Sequence, residues 1–521
     1  MSKFNVTDTR AAGGNSPITA ERTPSTVTHE GGPGYVRDAK SELFLLAVSN
    51  FVSEKTFYES ADQRDNRYAS LVRQVAVADP DWTGRFLGWL RGDGNMRSAS
   101  LVGALEAASA MLAAKIPGAH PIVASVLQRA DEPGEALAYW TSRYGRAIPK
   151  PVKRGVADAV TRLYSEYSLL KYDTASKGYR FGDVLDLVHP EPGAPWQGDL
   201  FAWALDRRHN RPWGNAQGLP MISANVLLRE AGADRPEVLL DAEQLRAAGM
   251  TWEDALSLAG SKVDKARLWE ALIPSMGYMA LLRNLRNFDE AGVPDAAAEQ
   301  VAARLADPEQ VAKSRQFPFR FHAAHTAVGS LRWGQALEKA LAASLGNVPV
   351  LAGRTLVLVD QSPSMFPGYF YSTTAVRKDI SNADLAKLFG SAIALRAESA
   401  DLVGYGRNSY PVPFRKGDAV LKVMSRFKMD DGTDTFGAVA RHFAGHDRVV
   451  IVTDEQNQAY GHRTIDDALP KQVPAYLWNI GGNQIGSIGS GPNRNTFAGM
   501  TDAAFRMIPL IEAGRNADWP F

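Results

Sequence analysis

Apolar residues recur at helical spacing from about Tyr35 to about Leu345. Examples are SELFLLAVSNFVS, SLVGALEAASAMLAA, RGVADAVTRLYSEYSLL and LWEALIPSMGYMALLRNL, each with an apolar stripe of the kind one helix face buries. Glycine, proline and Asp-Pro interrupt the pattern every few turns, at Gly92–Asp93–Gly94, Pro117–Gly118 and Asp307–Pro308, and such residues end helices. Many short helices with short connections predict stacked helix pairs, an α-solenoid, although no repeat keeps a clean period. Arg283 falls inside the apolar LLRNL run, which predicts a buried, hydrogen-bonded guanidinium.

Near Asn347 the period changes. RTLVLVD (Arg354–Asp360), SADLVGYG (Ser399–Gly406), RVVIVTD (Arg448–Asp454) and AYLWNI (Ala475–Ile480) are short runs rich in β-branched residues. NADLAKLFGSAIALRAE, AVLKVMSRF and FGAVARHFA separate them, and DAAFRMIPLIEAG follows. Strands apolar on both faces, alternating with helices, predict an open parallel α/β sheet. Ahead of both patterns, Met1–Gly34 is rich in Gly, Ser, Thr and Pro and reads as a flexible tail or a peptide arm along the body. The chain thus divides into 1–34, 35–346 and 347–521.

Composition narrows the chemistry. Among 521 residues there are 0 cysteines, so disulfides, thiolate metal sites and thiol nucleophiles are excluded. Lysine plus arginine number 58 and aspartate plus glutamate 57, which argues against a uniformly basic nucleic-acid coat. The start of the chain carries no apolar stretch of signal-peptide length, and no run is long enough to span a membrane. A cytoplasmic protein is the simplest reading.

Ligands of open parallel sheets sit at the carboxyl ends of the strands. The first strand run ends in Asp360-Gln361-Ser362-Pro363-Ser364, the third in Asp454, and between them GTDT (Gly432–Thr435) opens a helix. Three loops at one sheet edge therefore carry Asp360, Ser362, Ser364, Thr433 and Asp454. Oxygen donors of this kind suit a hard divalent cation such as Mg2+; Thr433 is preferred to Thr435. The plainer alternative has the two acids capping turns. A phosphoryl-accepting aspartate needs a second acid where Ser362 stands, and only Glu455 adjoins Asp454 as a general base for a hydrolase. Gly481–Gly491 lacks the GK[ST] of a phosphate loop and reads as a flexible surface loop, and His442, His446 and His462 as ordinary surface or interface histidines.

DQSPSM, GTDT and VVIVTDE resemble the metal-ion-dependent adhesion site of a von Willebrand factor A domain, in order and strand context. The resemblance implies that Asp360, Ser362 and Ser364 bind the metal directly or through water. Thr433 and Asp454 would complete its shell, with one position open to an acidic group of a partner.

The charge balance is even in both parts, 40 against 40 over residues 1–350 and 18 against 17 beyond, but locally uneven. Arg143, Arg146, Lys150, Lys153, Arg154 and Arg162 meet only Asp158, and the stretch from Lys313 to Arg332 has cations, including Arg320, plus His322 and His325, with no acid. Clusters of this kind attract phosphates, and interleaved aromatics can stack unpaired bases; a solvated helix face over core phenylalanines has the same pattern. LFLLAVSNFVSEKTFY, KRGVADAVTRLYSEY, YRFGDVLDLVHP, LWEALIPSMGYMALLRNL and RQFPFRFHAAHTAV resemble the TROVE module of Ro proteins, followed in that family, as here, by a von Willebrand A domain. The resemblance implies a monomeric ring of HEAT-like repeats and a non-catalytic role in RNA quality control. A small noncoding Y-type RNA would bind outside, single-stranded RNA ends would enter the hole, and an exoribonuclease would be a protein partner. It carries Lys153 and Arg154 onto a basic pair of the family and Arg320 onto a histidine position. Arg180 adjoins Phe181, where vertebrate members have histidine. Arg143, Arg146, Lys150, Lys153, Arg154, Arg180, Arg320 and His322 are therefore the candidate RNA contacts. The rival reading is a scaffold that grips peptides and binds an acidic protein through the metal, without RNA.

Overall fold

The computed structural model describes residues 15–49, 60–174, 177–212, 218–346, 348–366, 381–459, 463–498, 508–513 and 518–521. They form two compact units. One holds Ala76–Gln316 and Ala324–Ala343; the other holds Met1–Val75, Phe317–Ala323 and Ser344–Phe521. The expected fold classes are both present, a helical array and an α/β sheet. The division differs from the one the period suggests, because the helix Ala39–Ser49 and most of Ala61–Ala78 belong with the sheet unit.

The helical unit is built from successive short helices, many of them packed on a helix one or two places away in the chain. Pro80–Arg91 shows why they start where they do. Asp79 caps it by accepting from the Trp82 N–H at 3.0 Å, Pro80 fills the first turn, and Trp82, Phe86, Leu87 and Leu90 are buried along one stripe. Tyr278–Ala291 corrects the reading of Arg283. Leu281, Leu282, Leu285 and Phe288 take the buried face, and Arg283 projects outward and is exposed, since its place in the apolar string falls off the stripe. No described helix is long and apolar enough to cross a membrane.

Lys150–Leu163 positions the basic residues. Val152, Gly155, Val156, Ala159 and Val160 are its buried face; Lys150 and Arg154 lie exposed on the other, with Lys153 half-buried. Gly155 allows the close approach to Ala119–Val126: a β-carbon there would lie 2.8 Å from Val123 Cβ and 2.9 Å from the His120 carbonyl. Gly155→Ala is expected to cost about 1–3 kcal/mol through overpacking, despite alanine's better helix propensity. Urea unfolding followed by helical circular dichroism checks this.

The second unit holds a six-stranded sheet. After the two-residue strands β1 (Thr26–Val27) and β2 (Pro33–Gly34) come β3 (Arg354–Asp360), β4 (Ser399–Tyr405), β5 (Ser409–Pro411), β6 (Arg448–Thr453), β7 (Ala475–Asn479) and β8 (Arg494–Ala498). The order is β5-β4-β3-β6-β7-β8, all parallel except β5. Val359 is in register with Val452, so the chain leaves β3 and β6 side by side, at Asp360 and Asp454.

The segment 15–37 lies along this sheet unit, so the flexible-tail reading fails for 15–34 and the arm reading describes them. Ser16 covers the β8 edge, its N–H donating to Asn495 Oδ1 at 3.0 Å and its hydroxyl to the Thr496 carbonyl at 2.8 Å. Tyr35 exchanges two backbone hydrogen bonds with Gly486, both 3.0 Å, and Arg37 forms a buried ion pair with Glu455. The same contacts overturn the reading of Gly481–Gly491 as a flexible surface loop, because the arm needs its backbone as a partner. His446 is also buried, held by Asp401 at 2.8 Å, while His442 meets the Ser409 hydroxyl at 3.0 Å; His462 lies outside the described residues.

Candidate metal centre and basic groove

Asp360 is fully buried, its Oδ1 accepting from the Ser362 N–H at 2.9 Å and its Oδ2 from the Thr453 hydroxyl at 2.6 Å. The Ser362 and Ser364 hydroxyls lie 3.2 Å apart, and Ser364 stands near enough to the Asp454 side chain to favour its charge. Asp454 Oδ1 accepts from the Gln456 N–H at 3.2 Å. Gly481 permits this geometry, since a β-carbon there would stand 2.6 Å from Asp454 Cβ. Four of the five expected oxygen donors thus form one buried cluster.

Thr433 and Thr435 differ in their hydrogen bonding. The Thr435 hydroxyl is committed, donating to Asn457 Oδ1 at 2.6 Å and lying 3.2 Å from the Tyr405 hydroxyl. Thr433 is 2% exposed, and its carbonyl accepts from the Gln458 N–H at 3.0 Å. Two buried carboxylates beside two serine hydroxyls make an oxygen donor set that fits a hard divalent cation,. The hydroxyls are needed, because no group of three or more His, Asp or Glu side chains gathers at metal-binding distances among the described residues.

The electrostatics agree with that fit. Burial pushes the Asp360 carboxyl up to about 6, against hydrogen bonds from Thr453 and Ser362 that favour its charge. Burial first, then the charge of Asp360, pushes Asp454 up to about 7; Ser364 and Gln456 oppose this and Glu30 adds to it. Two carboxylates sharing a dry site either hold a proton or need a cation.

Of the basic candidates, Lys150, Lys153 and Arg154 come together. They line a groove of about 430 Å3 with Asp158, Thr161, His189 and Glu191, and none of the three has an ion-pair partner among the described residues. His189 was not read from the sequence. It ends the helix Phe181–Val188 in a left-handed conformation, φ 49°, and the His-Pro that follows LV was the available signal. The structure does not bring the remaining candidates to this groove. Arg180 is held by Asp173 through bonds of 2.8 and 3.3 Å, and Phe181 is buried, stacked on Tyr164 with ring centroids 3.8 Å apart. Arg143 reaches the buried Glu106 at 3.7 Å, and Arg146 is exposed outside the groove lining. Arg320, exposed over the Phe319 ring at 5.0 Å, and the half-buried His322 belong to the other unit.

The TROVE domain profile matches residues 246–345. Telomerase protein component 1 of Mus musculus is 45% identical over 83 residues, which are 16% of this chain and 3% of that protein. The Rattus norvegicus protein of the same name is 43% identical over 83 residues, with the same shares. The match therefore spans only a small part of these relatives' length. Among solved structures, the Ro (RSR) protein of Deinococcus radiodurans aligns over 92% of this chain and 100% of its own, with a TM-score of 0.61 at 19% identity. The fold is thus that of a helical-repeat protein with a von Willebrand A-like α/β domain. The TROVE match is confined to residues 246–345, and the likeness to the Ro (RSR) protein, at 19% identity, is one of fold.

Proposed function

We propose that this chain is a non-catalytic RNA-binding protein of the Ro kind. It would hold a small noncoding, Y-type RNA and the single-stranded ends of misfolded or processed RNAs in the cytoplasm. The observation that carries this is the groove in which Lys150, Lys153 and Arg154 face one concave space without ion-pair partners. Cations so placed attract phosphate at little desolvation cost and release counterions on binding. The formal charge near zero does not oppose this, since the charge that matters is local.

Asp360, Ser362, Ser364, Thr433 and Asp454 would hold Mg2+ or another divalent cation, whose remaining position would take an acidic group from a protein partner, an exoribonuclease for example. A hydrolytic role needs a base, and Glu455, the acid adjacent to Asp454, is occupied. It accepts from Arg37, from Asn479 Nδ2 and, at 3.2 Å, from the Ser487 N–H.

The test is electrophoretic mobility shift with Y-type and single-stranded RNA across a salt series. Lys153→Ala/Arg154→Ala is expected to weaken binding roughly 10- to 100-fold at low salt. It should also flatten the plot of log K against log salt by about 1.4–1.8, two phosphate contacts' worth. Absence of any shift at low salt would reject the reading in favour of a protein scaffold.

A further inference from the structure

The arm reaches the candidate metal centre at one point. Residues 28–32 form the turn between β1 and β2, closed by the Thr28 N–H donating to the Gly32 carbonyl at 2.9 Å. This turn docks on the loop that follows Asp454. The Thr28 hydroxyl and the Gly32 N–H both donate to the Asn457 carbonyl, at 2.6 and 3.1 Å, and the His29 N–H donates to Gln456 Oε1 at 2.9 Å. Gly31 pairs with Gln458 in an antiparallel bridge. Gly32 is buried against this loop and has no room for a β-carbon, which would lie 2.5 Å from the Asn457 carbonyl oxygen.

Glu30 stands at the tip of the turn. Gln458 is its link to the site: the Gln458 side-chain amide meets Glu30 Oε2 at 3.5 Å, while its backbone N–H donates to the carbonyl of Thr433. A third carboxylate brought toward two buried ones is repulsive unless a cation lies among them. The turn is nevertheless fixed there by three hydrogen bonds to residues 456 and 457 and three within itself.

We propose that Glu30 is the chain's own acidic occupant of the open metal position, directly or through a water, and that an acidic partner must displace it and the 28–32 turn to bind. This rests on the reading of Asp360, Ser362, Ser364, Thr433 and Asp454 as a divalent-cation site. The arm is then both a structural strap and a competitor that sets how strongly the site recruits. By linkage, a metal that attracts Glu30 tightens the arm by the same factor by which the arm tightens the metal.

The experiment uses the full chain and Mn2+. Affinity is measured by titration calorimetry for wild type, Glu30→Gln and Asp360→Ala. In parallel, tryptic cleavage after Arg22, in the exposed stretch Glu21–Ser25, is timed with and without Mn2+. Glu30→Gln is expected to bind Mn2+ about ten-fold more weakly. Mn2+ should slow cleavage of the wild type and leave that of Glu30→Gln unchanged. Asp360→Ala that binds Mn2+ as wild type does would overturn the metal site and this proposal together. If Asp360→Ala loses binding while Glu30→Gln keeps it and cleavage ignores Mn2+, the metal site stands and the role of Glu30 is rejected.

Discussion

Arg37→Ala is expected to destabilise the sheet unit by about 3–5 kcal/mol, the cost of leaving one partner of a buried ion pair charged and alone. The Arg37 and Glu455 side chains are 1% and 0% exposed. Arg37 also donates to the Asn483 carbonyl at 3.1 Å, so its loss orphans a carbonyl of the 481–491 loop as well. Glu455 itself sits at φ 66°, a region non-glycine residues rarely adopt,, fixed by its N–H donating to the Thr453 hydroxyl at 3.0 Å. That same hydroxyl bonds Asp360. Loosening Glu455 therefore reaches the candidate metal centre through one atom, and on the proposed role of that site Arg37→Ala should weaken cation binding along with stability. The comparison that isolates the pair is Arg37→Ala/Glu455→Gln, measured by urea unfolding. Removing the second charge should restore part of the loss, a coupling of order 1–3 kcal/mol. Equal destabilisation of the single and double variants would show that packing, not the charge pair, holds the arm.

The four central strands were legible because each is apolar on both faces, and the buried cluster of Asp360, Ser362, Ser364 and Asp454 because those residues directly follow two of the strands. Strand β8 was not legible: RNTFA opens with three polar residues, and their partners lie elsewhere in the chain. Arg494 reaches Asp466 and, at 2.8 and 3.2 Å, the carbonyls of Val473 and Leu469. Asn495 and Thr496 receive Ser16 from the far end of the chain. Local pattern cannot show that a polar strand will find such partners. The arm failed to register as ordered for the same reason, since its ordering comes from pairings more than 400 residues away, and its composition is that of any loop. Among the basic residues, the sequence could show which are cationic but not which are already paired: Arg180 and Lys153 look alike in the string, yet Asp173 holds one and the groove exposes the other. Charge clusters read from sequence are therefore upper bounds on what phosphate can use.

Divalent-cation binding is expected to strengthen steeply between pH 5 and pH 8 and to vanish in Asp360→Ala. Both acids must be ionised to ligate, and burial raises Asp360 to about 6 and Asp454 to about 7, so protons compete with the metal throughout that window. Each displaced proton contributes up to about ten-fold in affinity per pH unit below its pKa. Without metal the dependence of stability runs the other way. Between about pH 4, where unfolded aspartates have ionised, and pH 7, the folded carboxyls hold protons that the unfolded chain has lost. The folded state thus binds more protons, and stability falls as pH rises. Saturating Mg2+ replaces those protons, so its stabilising effect on the melting temperature should be near zero at pH 5 and largest near pH 8. Asp360→Ala removes one of the two charges that Asp454 must share the site with. The metal-free variant should therefore lose less stability on going from pH 4 to pH 7 than the wild type, and added Mg2+ should leave its melting temperature unchanged. Calorimetric titration with Mn2+ at pH 5, 6, 7 and 8, beside thermal melts of both proteins, reads all of these. An affinity constant across that range would mean that the carboxylates are not the ligands, because no group with a raised pKa can bind a cation without first giving up its proton.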